Sequence, residues 1–251
     1  MKKNMTPFSC CLITVLFALL SCTPVSGQNM FSTNPFNNPL NSMLNTMING
    51  KINEEMLRQS VADQKSRSGS GSRSAATPTT TKPKKSAAEI GKTATFHPTA
   101  QPLKVREVVN LLASTPEDKE ATFTVFSNLL TYFAGEAKRL GKPNDFPLAL
   151  SVFLAVNSSV YHGTPPPDDA HLLRLRDIIA EAMAEDSQFA AVTDRSKQEL
   201  YEVMIIYTLF TQASYSEAKK AGNQDLMDGY RKFAGMNLQN FCKASPDTLT
   251  F

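Results

Sequence analysis

The chain has 251 residues, of which 41% are hydrophobic, with four cysteines and a formal net charge of +3. Eight basic residues face only Asp63 and Glu89 between Arg58 and Lys92, a net of +6, whereas Thr93–Phe251 holds 15 basic and 19 acidic residues, a net of −4. A basic tether on a mildly acidic domain excludes the basic-faced folds that bind nucleic acid, and cysteines crowded into the first 22 residues exclude a disulfide framework.

Lys2 and Lys3 precede an apolar run from Phe8 to Leu20 and the small-residue stretch Ser21–Gln28. This is the pattern of a secretory signal peptide, residues 1–27, with Val25 and Gly27 at the cleavage positions. The run is shorter than the roughly 20 residues a membrane-spanning helix needs. The expected address is therefore export, periplasmic or secreted. An alternative is a lipoprotein anchored through Cys22, since Leu19-Leu20-Ser21-Cys22 resembles a lipobox. Either way Cys242 stands alone in the exported part. Next to Phe241 it reads as a small packed hydrophobe rather than a nucleophile.

Residues 28–65 form a second unit. After the Asn-rich start, Leu40, Met43, Leu44, Met47, Ile48, Ile52, Met56, Leu57 and Val61 recur at three-and-four spacing, which predicts an amphipathic helix. Gly50 weakens its middle by about 1 kcal/mol relative to Ala. Its stripe needs a surface, either the protein's own domain or a second copy in a homo-oligomer. Membrane-surface contact through 40–61 is the weaker alternative, for want of a dense Lys/Arg flank. Residues 66–95 read as a disordered basic linker. Within it, 66–86 hold no apolar residue larger than alanine and cannot repay the entropy of ordering.

From Phe96 to Phe251 the pattern is all-α, an irregular bundle of five to six helices. Val105, Val108, Val109 and Leu112 predict a short helix. Ser114 or Thr115 caps the next, with Pro116, Glu117 and Asp118 in its first turn and Gly141 at its end. Asn144 or Asp145 opens Phe146–Tyr161, a helix apolar on nearly every side and so the expected centre of the bundle. His162 and the prolines 165–167 force a turn. Asp168 and Asp169 start the following helix. Thr193-Asp194, with Ser196-x-x-Glu199, resembles a capping box ahead of a second very apolar helix through Leu200–Phe210. Leu226–Phe241 forms the last helix, before Pro246. Starts near 116, 145, 168, 195 and 224 are evenly stepped, but no residue pattern repeats with them. A single bundle is therefore favoured over a stack of helical hairpins.

There is no nucleophile elbow, phosphate loop, dinucleotide fingerprint or HExxH. His97, His162 and His171 are scattered, and neither a metal nor a cofactor is expected. Polar residues on apolar faces are the remaining candidates. Asn157 continues the ridge of Phe146, Leu150 and Phe153, and Glu202 lies one turn before Ile206. Both need buried partners, for which Arg174, Arg176, Tyr161 and Tyr201 are the nearest in pattern. Asn157, Tyr161, His162, Tyr201 and Glu202 thus make up the candidate polar cluster.

The series Phe96-x-Pro98-Thr99, Gly141 with Asn144-Asp145, Phe153-Leu154, Val160-Tyr161 and Lys197-Gln198-x-Leu200-Tyr201-Glu202 resembles a family of exported bacterial helical proteins catalogued as a domain of unknown function. The resemblance spans about residues 96–245 and implies an exported helical domain without supplying an activity. The function expected is a non-enzymatic envelope protein whose bundle engages a protein or polymer partner. The alternative is a carrier of small apolar or lipid-like molecules among the helices that hold Phe123, Phe126, Phe133, Phe146 and Phe153.

Overall fold

In the computed structural model of the chain, the residues described are Phe36, 39–48 and 86–249. The predicted leader, Cys22, residues 49–65 and residues 66–85 of the expected linker lie outside them. The named elements of the described part are all helices: α1 (Pro39–Met47), α2 (Ala87–Ala94), α3 (Val105–Leu112), α4 (Pro116–Arg139), α5 (Phe146–His162), α6 (Asp169–Glu185), α7 (Asp194–Lys220) and α8 (Gln224–Cys242), with single 3-10 turns at Phe189–Ala191 and Pro246–Thr248. Among these residues the sole β-type pairing is an isolated bridge between Thr95 and Asp145.

Six helices start on a side chain that accepts from the backbone N–H three residues on, as helix starts require, Ser86 doing so for α2. Thr115 serves α4, Asp145 α5, Asp168 α6, Thr193 α7 and Asn223 α8. Of the two caps open for α4 and α5, the fold uses Thr115 and Asp145; Asn144 instead takes a left-handed turn conformation with φ 52°. Thr193 caps alone, because α7 already begins at Asp194 and leaves Glu199 to pair with Arg195 at 3.0 Å. Gly163, at φ 70°, ends α5, and Thr164 N–H returns to the Ser159 carbonyl at 3.0 Å.

Every residue of α5 from Phe146 to Val160 is buried. Helices α6, α7 and α8 pack around it, and α4 closes against α7. The short α3 lays Val105, Val108, Val109 and Leu112 inward. Residues 86–94, expected to end the linker, form α2 instead. Ser86 and Glu89 cap one another, with Ser86 N–H reaching the Glu89 carboxylate at 2.9 Å, and Ala94 is fully buried as α2 packs on α6. Composition hid this helix because its capping box sits among lysines and alanines.

Helix α1 rests on α7 and α8, burying Leu40, Leu44, Met47 and Ile48. Ahead of it Phe36 enters the aromatic centre, 5.2 Å from the ring of Phe153, 5.5 Å from Phe241 and 5.8 Å from Tyr207. Burying a Phe side chain of this kind contributes about 1.5–3 kcal/mol. The start of the amphipathic segment therefore lies on the protein's own bundle. Membrane-surface contact through 40–61 would have to use side chains beyond Ile48, outside the described residues.

Candidate functional site

Helix α7 carries polar residues along one face of its first two turns. Asp194, Lys197, Gln198, Tyr201 and Glu202 follow at intervals of three and four, so they line up on one side. Against that side runs the irregular segment 95–104, between α2 and α3. Asp194 Oδ2 accepts from His97 N–H at 3.0 Å and lies 2.9 Å from His97 Nδ1. Lys197 Nζ donates to the carbonyls of Thr93, at 2.8 Å, and Thr95, at 3.2 Å. Gln198 Oε1 accepts from Thr99 N–H at 2.8 Å, while its Nε2 donates to Thr99 Oγ1 and to Glu202 Oε1. Glu202 Oε2 then accepts from the N–H groups of both Leu103 and Lys104 at 2.8 Å.

The two charged residues in the middle of this series sit at helix ends of the matching polarity. Lys197 meets the carbonyl end of α2, and Glu202 meets the N–H end of α3, whose own cap residue, Lys104, makes no side-chain cap bond. Both are paid for in hydration, being about 96% buried. Burial pushes the Lys197 ammonium below its ordinary pKa. Burial likewise pushes the Glu202 carboxyl up, against the three donors that hold it down. Tyr201, between them, packs edge-on to Phe96 at 5.1 Å and near Phe133 at 5.6 Å, and burial raises its phenol as well.

Asp145 joins the same end of the bundle. Buried, it caps α5 and receives Arg176 from α6 through Nε, 3.1 Å from both oxygens, and through Nη2. Arg176 is thus the partner of Asp145 and not of Glu202, as the sequence pattern had allowed. The quoted residues Phe96, Thr99, Asn144, Asp145, Lys197, Gln198, Tyr201 and Glu202 come together here. Phe96 N–H reaches the Asn144 carbonyl at 3.3 Å to close the group.

The other candidates lie elsewhere. Asn157 donates to the Phe153 carbonyl, at 2.8 Å, and to Thr208 Oγ1, at 3.1 Å, and accepts from Asn237 Nδ2 at 3.0 Å. That triad bolts α5, α7 and α8 together, about 9 Å of helix from Glu202. Tyr161 reaches outward to Asp247, with Oη 2.9 Å from Oδ1, and its ring covers Gly235. His162, the last residue of α5, is exposed beside it. The five predicted residues therefore form three separate groups. What sequence reading missed is the strap that segment 95–104 lays along α7, and the signal for it was the polar ridge 194, 197, 198, 202 along one face of that helix.

Two open clefts are lined wholly by described residues. One, of about 250 Å³, lies between the end of α5 and the start of α6, with Ser158, Ser159, Asp168, His171 and Arg174 on its walls. Burial, then Arg174, lowers the His171 imidazole pKa. The other, of about 600 Å³, lies at the end of α8 beside Lys243 and Pro246. Among the described residues no three His, Cys, Asp or Glu side chains are grouped to hold a metal, and no helix is long and apolar enough to cross a membrane.

A protein-family model, described as a family of unknown function, matches residues 8–251. The chain belongs to that family, DUF6683. The matched region takes in Phe36 and α1 as well as the bundle, so the DUF6683 pattern covers the arm and its seat together. No curated protein and no solved structure gives a significant match.

Proposed function

We propose that this DUF6683 protein is a non-enzymatic helical interaction module that is exported and binds a protein partner in the bacterial envelope. The observation that carries the reading is the seat of α1. A separate amphipathic segment lies as a helix on α7 and α8 with an aromatic anchor, Phe36, among Phe153, Tyr207 and Phe241. This is the helix-in-groove mode by which many domains hold protein ligands. The leader at 1–27 supports export, with anchoring through Cys22 as the alternative. Asp145, Asn157, Lys197 and Glu202 are engaged as fasteners between elements of the bundle, which favours a scaffold over a reaction centre.

A carrier of apolar molecules would need an enclosed apolar space. The cleft between α5 and α6 is open and mostly polar-walled, unlike the space a carrier needs, which supports the interaction reading. Crosslinking and pull-down from an envelope extract, with the tagged full chain as bait and mass spectrometry of the eluate, tests it. The expected result is one protein enriched reproducibly over a tag-only control and binding again when both are purified. Enrichment of an envelope polymer alone would redirect the reading, and no enrichment would end it.

A further inference from the structure

The arm is seated by apolar contact but is poorly matched in hydrogen bonds. Asn41 Nδ2 donates to the Phe36 carbonyl at 3.0 Å, yet its Oδ1 is buried without a partner. Asn45 Oδ1, one turn further along α1, is in the same condition. So is the hydroxyl of Tyr207, whose ring touches Phe36 and stacks on Phe233 at 5.8 Å. Of the seven buried side-chain atoms that lack a partner among the described residues, two therefore lie on α1 and a third belongs to Tyr207, whose ring touches Phe36, while Ser127, His171, Ser214 and Arg231 hold the other four. The bundle's own polar fasteners, at Asn157 and Glu202, are satisfied. A buried group with an unmet hydrogen bond gains one when water or a better-matched ligand reaches it. Asn41 and Asn45 lie on the arm itself, so lifting α1 brings both amides to water and regains their hydrogen bonds.

We propose that Phe36 with α1 is a releasable cover, and that the groove beneath it on α7 and α8 receives an amphipathic helix of the protein partner. This rests on the interaction reading given above. The arm shows the chemistry of that helix, an aromatic anchor followed by apolar residues at the spacing of Phe36, Leu40, Leu44 and Met47. A partner helix without the unmatched amides of Asn41 and Asn45 holds an advantage the arm lacks. The arm belongs to the same chain, so the partner helix competes with an intramolecular occupant.

The test uses the full chain. In hydrogen–deuterium exchange, amides of 40–48 are expected to exchange at least about 100-fold faster than those of 201–211, as a locally opening unit does. Equal protection in the two segments would overturn the proposal. As a second measurement, a fluorescein-labelled peptide of residues 34–50 is titrated into wild type and Phe36→Ala. The variant, with its own arm weakened and the Phe36 site vacant, is expected to bind the peptide about 10-fold more tightly or better. Equal affinities refute the idea. So does global unfolding of Phe36→Ala, because a cover that can lift is not required for the bundle to fold. Neither measurement needs the partner, so both can succeed while the pull-down fails; the releasable cover would then stand, and the partner helix in its groove would fall with the interaction reading. A captured partner that leaves the peptide in place would sink the groove and spare that reading.

Discussion

At Glu202 an amide in place of the carboxylate keeps the shape and loses an acceptor. Oε2 can still take the N–H groups of Leu103 and Lys104, but the new NH2 faces Gln198 Nε2, itself a donor. Glu202→Gln is expected to lower stability at neutral pH by about 1–3 kcal/mol in urea unfolding. The two proteins also differ with pH. Because burial raises the folded pKa of Glu202, the part of its stability linked to proton binding is full below the ordinary Glu pKa and is lost as pH rises through the raised value. The advantage of wild type over Glu202→Gln should therefore shrink from about pH 4 upward, and a growing advantage would contradict the buried, raised carboxyl. Asn157 gives a second test. Asn157→Ala strips partners from Thr208 and Asn237 at once, for an expected loss of about 1–3 kcal/mol per orphaned group. Its coupling to Asn237→Ala in a double-mutant cycle should be clearly non-additive.

Between elements, two contacts decide how helices meet. The Asp145–Arg176 pair joins the cap of α5 to α6 in a buried setting. Asp145→Asn leaves the guanidinium without its counter-charge and should cost about 3–5 kcal/mol, whereas removing both partners in favour of apolar residues should cost less. Gly235 lets α8 approach α5, since a Cβ there would stand 2.8 Å from the Tyr161 ring. Gly235→Ala should cost about 1–3 kcal/mol, with Tyr161→Leu in the same chain recovering part of it in thermal melts. The sequence showed the helices of the bundle well, because caps such as Thr115, Asp145 and Asp168 and the apolar run of α5 are local signals. It showed α2 poorly and the strap not at all. Their partners, Lys197, Gln198 and Glu202, lie about a hundred residues away, and no local pattern pairs Thr99 with Gln198.

Across the whole molecule, the single cysteine of the bundle reports on global opening. Cys242 is fully buried and its thiol is pushed up to about 12, so little thiolate exists at neutral pH. Alkylation of the peptide containing Cys242, followed by mass spectrometry in the native protein, should be slow and should rise with urea along the unfolding curve. The strap has a further consequence at this scale. His97, Thr99 and Leu103 meet Asp194, Gln198 and Glu202 in the same order, so segment and helix run side by side like two marked rules. One turn of α7, about 6 Å, is matched by the chain from Thr99 to Leu103. Surface connections commonly tolerate added length, but this one is gauged. Two glycines inserted after Gln101 should lower Tm by on the order of 5 °C, while the same insertion after Pro166, where no such graduation exists, should change it little.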